Sequence, residues 1–130
     1  AGTTVDVLII HTMSPQSPSM LHARDAQLLG LQARLDGLSQ TAILIGDLNA
    51  TPWTHSLSQL KESTGLSTSR AGSGLLNSPE GTWPSRFPWF LRIPIDHCLI
   101  RGNLQVVSDR LIPIPDSDHL GLVVSVRVGG

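Results

Sequence analysis

Two short runs rich in β-branched residues, Val5 to Ile10 and Thr41 to Leu48, flank a stretch in which Leu21, Leu28, Leu31, Leu35 and Leu38 recur at spacings of seven, three, four and three. The spacing predicts a helix from about Ser19 to Leu38 with one apolar stripe, while the flanking runs suit strands, the first of them buried on both faces. Arg24, Asp25, Gln32, Arg34 and Asp36 fall on the other faces of that helix. Between the first strand and the helix, "TMSPQSPS" supplies prolines and hydroxyls that turn the chain. After the second strand, Thr54 is placed to cap a shorter helix reaching about Ser63, and Gly65 to end it. Strand, helix, strand and helix in succession favour a layered α/β architecture in which strands meet helices across one core.

The second half is richer in strands. "STSRAGSGLLNSPEG" reads as a flexible surface loop, and all but one of the aromatic residues gather between Trp83 and Phe90, where Pro84 and Pro88 argue against a regular helix. Strands follow at Ile95 to Arg101, Leu104 to Ile112 and about Leu120 to Val128, the first two joined by the "RGN" turn. With 130 residues, 40% of them hydrophobic, a single globular unit can bury a core. A net charge of -1 argues against a broad basic surface for long nucleic acid. One cysteine, Cys98, excludes an internal disulfide framework and a cysteine zinc cluster, and in "IDHCLI" it reads as a small buried residue. No run is long and apolar enough to span a bilayer.

Polar residues sit where these strands end or begin. His11 follows the first strand, Asp47 and Asn49 close the second, Asp96 and His97 open a later one, and Asp118 and His119 precede the last. Strand termini hold side chains rigidly beside loops that admit substrate, so four such positions together point to one site. Carboxylates and a carboxamide are hard oxygen donors suited to Mg²⁺ or Mn²⁺, whereas no HExxH spacing or GxSxG elbow supports a zinc protease or a serine hydrolase. Phosphate-ester hydrolysis fits this set: it needs a cation for phosphoryl oxygens, a base for water and a donor for the phosphate. His97 follows Asp96 along a strand and points to the opposite face, which gives it a structural role. His55 and His22 read as solvated, and Arg24 as a surface charge or part of the site's electrostatics.

"GDLNATPW", "IPIDHCLI" and "SDHLGLVV", preceded by a strand ending in "IIH", resemble in order and spacing the C-terminal half of the endonuclease/exonuclease/phosphatase superfamily. DNase I-like nucleases, abasic-site endonucleases, inositol-polyphosphate phosphatases and neutral sphingomyelinases belong to it. The resemblance implies the C-terminal half of a four-layer α/β sandwich of the DNase I-like type, residues 1–130 being that half of one domain. By the same resemblance Asp47 orients and deprotonates the attacking water, and Asn49 hydrogen-bonds the scissile phosphate or a metal-bound oxygen. Asp118 resembles the metal-side carboxylate, His119 the imidazole on the phosphate, Asp96 the carboxylate that fixes its tautomer, and His11 a histidine set against the leaving group. Asp118, Asn49 and Asp47 are thus the implied contributors to a Mg²⁺ or Mn²⁺ site.

The family also uses an upstream asparagine and a metal-binding glutamate, and Glu62 and Glu80 lie at no strand end. The expectation is a missing N-terminal half that carries both, a fragment inactive by itself, and self-association through the apolar sheet surface left uncovered. The substrate class implied is a phosphate ester: nucleic acid, phosphoinositide or lipid-linked. "GDLNATPW" followed by "TWP" and "RIPIDH" looks closest to a bacterial branch whose members often carry membrane-spanning helices ahead of the catalytic domain, which implies a membrane-anchored full-length protein. Trp and Phe in the 83–90 segment suit a membrane interface or a core packed against the absent half. A non-catalytic binding or scaffold module that kept the fold is the alternative to an enzyme.

Overall fold

The computed structural model describes residues 2–70 and 78–129. Strand β1 (Asp6–Ile9) leads through the Pro/Ser turn to helix α1 (Pro18–Asp36), β2 (Ala42–Asp47), helix α2 (His55–Thr64), the short β3 (Ser67–Thr68), and then β4 (Asp96–Arg101), β5 (Leu104–Pro113) and β6 (Leu120–Val128). A four-stranded mixed sheet in the order β1-β2-β4-β3 carries the helices on one face, and β5 and β6 form a separate antiparallel pair. This is the layered α/β architecture expected from the order of elements.

Alternation along the strands sets the core. Leu44 and Leu99 lie opposite each other on neighbouring strands and join Leu28, Leu31 and Leu35 of α1 with Leu57 and Leu60 of α2 in one buried cluster. Ser17 caps α1, its hydroxyl accepting from the Met20 N–H, and Gly65, in the left-handed conformation at φ 70°, ends α2. Thr54 holds the N-cap position of α2 without a capping side-chain bond.

Several expectations are corrected. The leucine stripe of α1 is shorter than its sequence pattern: Leu21 is exposed and Leu38 lies past the helix end, though it still packs on the core. Arg24 is buried instead of lying on an outer face, for reasons that belong to the site. β1 is not buried on both faces, because Leu8 turns toward the helices while Val7 and Ile9, 56% and 78% exposed, look out from the opposite face of the sheet. The segment assigned to a flexible loop instead contributes β3, paired with β4, and buries Ser69, Arg70 and Ser78; residues 71–77 of that loop lie outside the described residues.

Arg101, at the end of β4, ties the helical layer to the sheet. Its guanidinium donates to the carbonyls of Leu35 in the last turn of α1, of Leu38 and Ser39 beyond it, and of Thr64 at the end of α2, satisfying acceptors that helix ends leave open. Arg101→Met is expected to lower unfolding free energy by about 2–3 kcal/mol, because several charge-assisted bonds go at once. Urea denaturation of the two proteins side by side measures it, and a loss within error of zero would refute the role.

Candidate active site

β1 and β2 run parallel and in register, so the residues that follow each emerge side by side. Gly46 makes that closeness feasible: its φ is 146°, and a Cβ there would lie 1.9 Å from the Ile10 carbonyl oxygen. Two backbone bonds, Ile10 N–H to Ile45 O at 3.1 Å and Thr12 N–H to Asp47 O at 3.0 Å, bracket His11. The imidazole of His11 is thereby held out over the sheet end, its Nε2 3.6 Å from Asp47 Oδ2.

Antiparallel pairing with β4 sets Asp96 directly opposite Asp47. Adjacent carboxylates on one face repel, and the structure answers with an imidazole: Asp96 Oδ2 lies 2.9 Å from His119 Nδ1, and His119 Nε2 lies 3.8 Å from Asp47 Oδ2. Both histidines therefore face the same oxygen of Asp47. Burial, reinforced by the Asp96 charge, raises the Asp47 carboxyl above its usual value, against the Asn49 N–H that favours its ionised form. At His119 burial works against the charged ring, but the Asp96 hydrogen bond and the charges of Asp96, Asp47 and Asp118 outweigh it and raise its affinity for the proton.

Asn49 completes a tight turn. Its N–H donates to Asp47 Oδ1 at 2.8 Å, its carboxamide Nδ2 donates to Thr12 O at 2.9 Å, and its backbone takes φ 44°, a left-handed conformation that Asn tolerates. Arg24 accounts for the rest of that turn: Nη1 donates to Asn49 O, Nε and Nη2 clasp Asp25 Oδ1, and Ser56 Oγ on α2 donates to the same oxygen. Ser56 and Arg24 together lower Asp25 below the ordinary carboxylate value despite its partial burial. The Arg24 cation is thus drawn from α1 toward the turn after β2 by a carbonyl and a carboxylate, which is the physical reason that it is only 5% exposed.

The opposite side is built by residues that the sequence reading did not assign to the site. Thr82 is fully buried and its Oγ1 receives the N–H groups of Ile95 and Asp96, while its carbonyl receives Leu120 N–H. Trp83 donates from Nε1 to Asp118 Oδ2 at 2.9 Å and lies 6.5 Å, centroid to centroid, from the His119 ring. Ser85 N–H donates to Asp118 O at 2.7 Å, Ser85 Oγ donates to Ser117 O, and Ser117 Oγ receives His119 N–H. The "TWPS" run, read in the sequence only through its aromatic content and the "TWP" likeness, is the strap that positions Asp96, Asp118 and His119. The Trp83 hydrogen bond, the leading influence, lowers Asp118 below the ordinary carboxylate value.

His11, Arg24, Asp47, Asn49, Trp83, Asp118 and His119 line one open cavity of about 660 Å³. The structure brings the six predicted site residues to one sheet end, with Asp118 the most solvent-exposed of the carboxylates at 64%. Asp47, Asp96 and His119 each offer an atom within 4.8 Å of the others, a group that could hold a metal ion. The donors fit a hard divalent cation in part: Asp47 supplies oxygens at the cavity, while Asp96 Oδ2 and His119 Nδ1 already satisfy each other. Glu62 is exposed on α2 and Glu80 lies 3.9 Å from Arg92, so neither brings a carboxylate to this group. His97, on the other face of β4, is buried, its ring Nε2 2.6 Å from Ala50 O; burial lowers its proton affinity, so the neutral ring donates there. His22 and His55 are exposed.

The Asp96–His119 pair has a measurable consequence. A folded-state pKa above the free value of 6.5 makes the pair stabilise fully below that pH and lose its contribution as pH rises through the folded value. In ¹H–¹³C NMR the His119 ring is expected to titrate above 6.5, and Asp96→Asn, which removes both the hydrogen bond and the charge, to lower the midpoint. An unchanged midpoint in the variant would show that the pair does not set the proton affinity.

A family model described as the endonuclease/exonuclease/phosphatase family matches residues 2–119. No curated protein matches the chain. Among solved structures, an endonuclease/exonuclease/phosphatase from Beutenbergia cavernae DSM 12333 superposes with a TM-score of 0.69 at 23% identity, over 95% of this chain and 36% of that one. A 3' phosphatase, NExo, from Neisseria bound to a product DNA hairpin gives 0.65 at 16% identity, over 93% of this chain and 60% of its own. The human Nocturnin catalytic domain with bound sulfate anion gives 0.63 at 24% identity, over 92% and 45%. These likenesses concern the fold, and the chain spans less than two thirds of each of those proteins. The match over nearly the whole chain, on a mixed α/β frame of the DNase I-like kind, makes this chain a member of the endonuclease/exonuclease/phosphatase family.

Proposed function

We propose that this chain forms the C-terminal wall of the active site of a phosphate-ester hydrolase that works with a hard divalent cation, Mg²⁺ or Mn²⁺. The observation that carries it is the convergence of Asp47 Oδ2 with two imidazoles, one of them held by Asp96. Asp47, ionised, takes the proton of the attacking water and aligns it; the facing histidines favour that ionised form. His119 keeps its Nδ1 proton on Asp96 and presents Nε2 to a phosphate oxygen, where a protonated ring offsets the charge that develops in the transition state. His11, on the same oxygen of Asp47 and exposed to the cavity, is placed for the leaving-group oxygen. Asn49, fixed by Thr12 and Arg24, borders the phosphate position. When bound, the cation neutralises phosphoryl oxygens, with Asp47 and Asp118 as the oxygen donors this chain brings and the remaining ligand, a glutamate, from outside it.

The family's chemistry on phosphate esters, with a DNA-bound 3' phosphatase among the structural neighbours, supports a phosphodiester or phosphomonoester substrate. On this reading the 130 residues alone are inactive, and the rest of the domain covers Val7 and Ile9. The test is hydrolysis of bis-p-nitrophenyl phosphate, p-nitrophenyl phosphate and a lipid diphosphate with Mg²⁺ by the longest polypeptide that contains this chain, compared with His119→Ala. Metal-dependent turnover that collapses in the variant is the expected result. Turnover that is absent from a folded long chain would favour a binding module instead, and turnover indifferent to His119→Ala would remove His119 from the role assigned to it.

A further inference from the structure

A second feature adjoins the cavity without belonging to its chemistry. Phe87, Trp89, Phe90 and Leu91 stand 40%, 55%, 54% and 55% exposed, and Trp53, 56% exposed, lines with the last three a groove of about 260 Å³. The loop cannot fold these side chains inward. Its two ends are paired, Ile93 N–H donating to Trp83 O at 2.7 Å and Trp83 N–H to Ile93 O at 3.2 Å; Arg92 Nε donates to Phe87 O; a 3-10 turn at Trp89–Leu91 packs Trp89 edge-on against Phe90. Aromatic and aliphatic surface is therefore held out in water by hydrogen bonds at its base, where a core-forming segment would have turned it in.

We propose that this rim docks onto an anionic phospholipid bilayer. Trp and Phe on a rigid protrusion, with Leu91 beside them, are the residues that enter the boundary between headgroups and acyl chains. The charge agrees: "RFPWFLR" places Arg86 and Arg92 at either end of the apolar tip with no acid between, in a chain whose net charge is -1. Arg86 is exposed, lies over the Phe87 ring at 5.6 Å, and among the described residues has no carboxylate within ion-pair distance, whereas Arg92 has Glu80 at 3.9 Å. Arg86 exerts its charge on Asp118 as well, and its exposed guanidinium is open to a lipid phosphate.

Nucleic acid fits the same surface less well. A strand-binding groove follows the phosphates with a row of cations, and this tip has two flanking arginines, one of them already beside Glu80 at 3.9 Å. The rest of the domain is also a poor occupant, because Trp53 sits on the turn into α2, in the helical layer, while the uncovered sheet face of Val7 and Ile9 lies on the far side. Ile93 lines both the aromatic groove and the catalytic cavity, so docking sets the cavity mouth against the headgroup layer.

Cosedimentation of the chain with vesicles of phosphatidylglycerol and phosphatidylcholine in equal parts, compared with phosphatidylcholine alone, tests this without relying on hydrolysis. Binding to the anionic vesicles with a blue shift of tryptophan emission is expected. Trp89→Ser/Phe90→Ser should lower the partition coefficient about tenfold or more, since two large apolar side chains leave the bilayer. Arg86→Gln should weaken only the binding to anionic vesicles, and Val7→Ser/Ile9→Ser on the other face should leave binding unchanged, with melting curves confirming that each variant is folded. Absence of vesicle binding by the parent chain would overturn the proposal. So would undiminished binding of a folded Trp89→Ser/Phe90→Ser variant, or tighter capture of a single-stranded oligonucleotide through the same residues.

Discussion

Asp47→Asn in the longest polypeptide containing this chain is expected to cut phosphate-ester hydrolysis about 10³-fold, the scale of losing a positioned general base. The substitution keeps the shape of the side chain and an acceptor for the Asn49 N–H, so the turn that fixes Asn49 survives. What goes is the negative charge that both His11 and His119 face. Because burial and Asp96 already disfavour that charge, the variant should melt no lower than the parent, which separates lost chemistry from lost folding. Activity within about tenfold of the parent would remove Asp47 from the role assigned to it.

Gly46→Ala should have the largest effect on folding. The position holds φ at 146°, which alanine adopts only under strain, and its Cβ would meet the Ile10 oxygen at 1.9 Å and the Ile10 nitrogen at 3.2 Å, all backbone atoms with nowhere to move. Relief requires β1 and β2 to separate where two bonds join them, at a cost of about 4 kcal/mol or more, a large share of a small domain's stability. Urea denaturation of Gly46→Ala reads this directly, and a midpoint close to the parent's would mean that the strands adjust more easily than the geometry indicates.

The elements that periodicity could see were legible. Strands and helices fall close to where apolar spacing put them, Asp47, Asp96 and His119 meet where the strand ends placed them, and His97 lies on the face of β4 opposite Asp96, buried against Ala50. The misses share a cause: spacing records which residues are apolar and cannot record what covers or attracts them. Val7 and Ile9 have the composition of a core strand but no partner layer among the described residues. Arg24 has the character of a surface residue but is drawn inward by Asn49 O and Asp25. Leu21 keeps the helical spacing yet stands clear of the core, 40% exposed. Gly46 and Thr82, which let the strands meet and the strap attach, make their contacts through backbone closeness and one hydroxyl, features with no periodic signature.

The strap at residues 82–85 acts as a spacer. Thr82 holds the start of β4 and the start of β6, while Trp83 and Ser85 hold the loop that delivers Asp118 and His119. One side of the cavity is therefore set by a segment that belongs to no named strand or helix, and that meets Asp118 and His119 directly while Asp47 and His11 stand on the opposite side. A change in the length or chemistry of this segment would therefore shift Asp118 and His119 together while Asp47 and Asn49 stay at the end of β2, so the two walls of the cavity can vary independently.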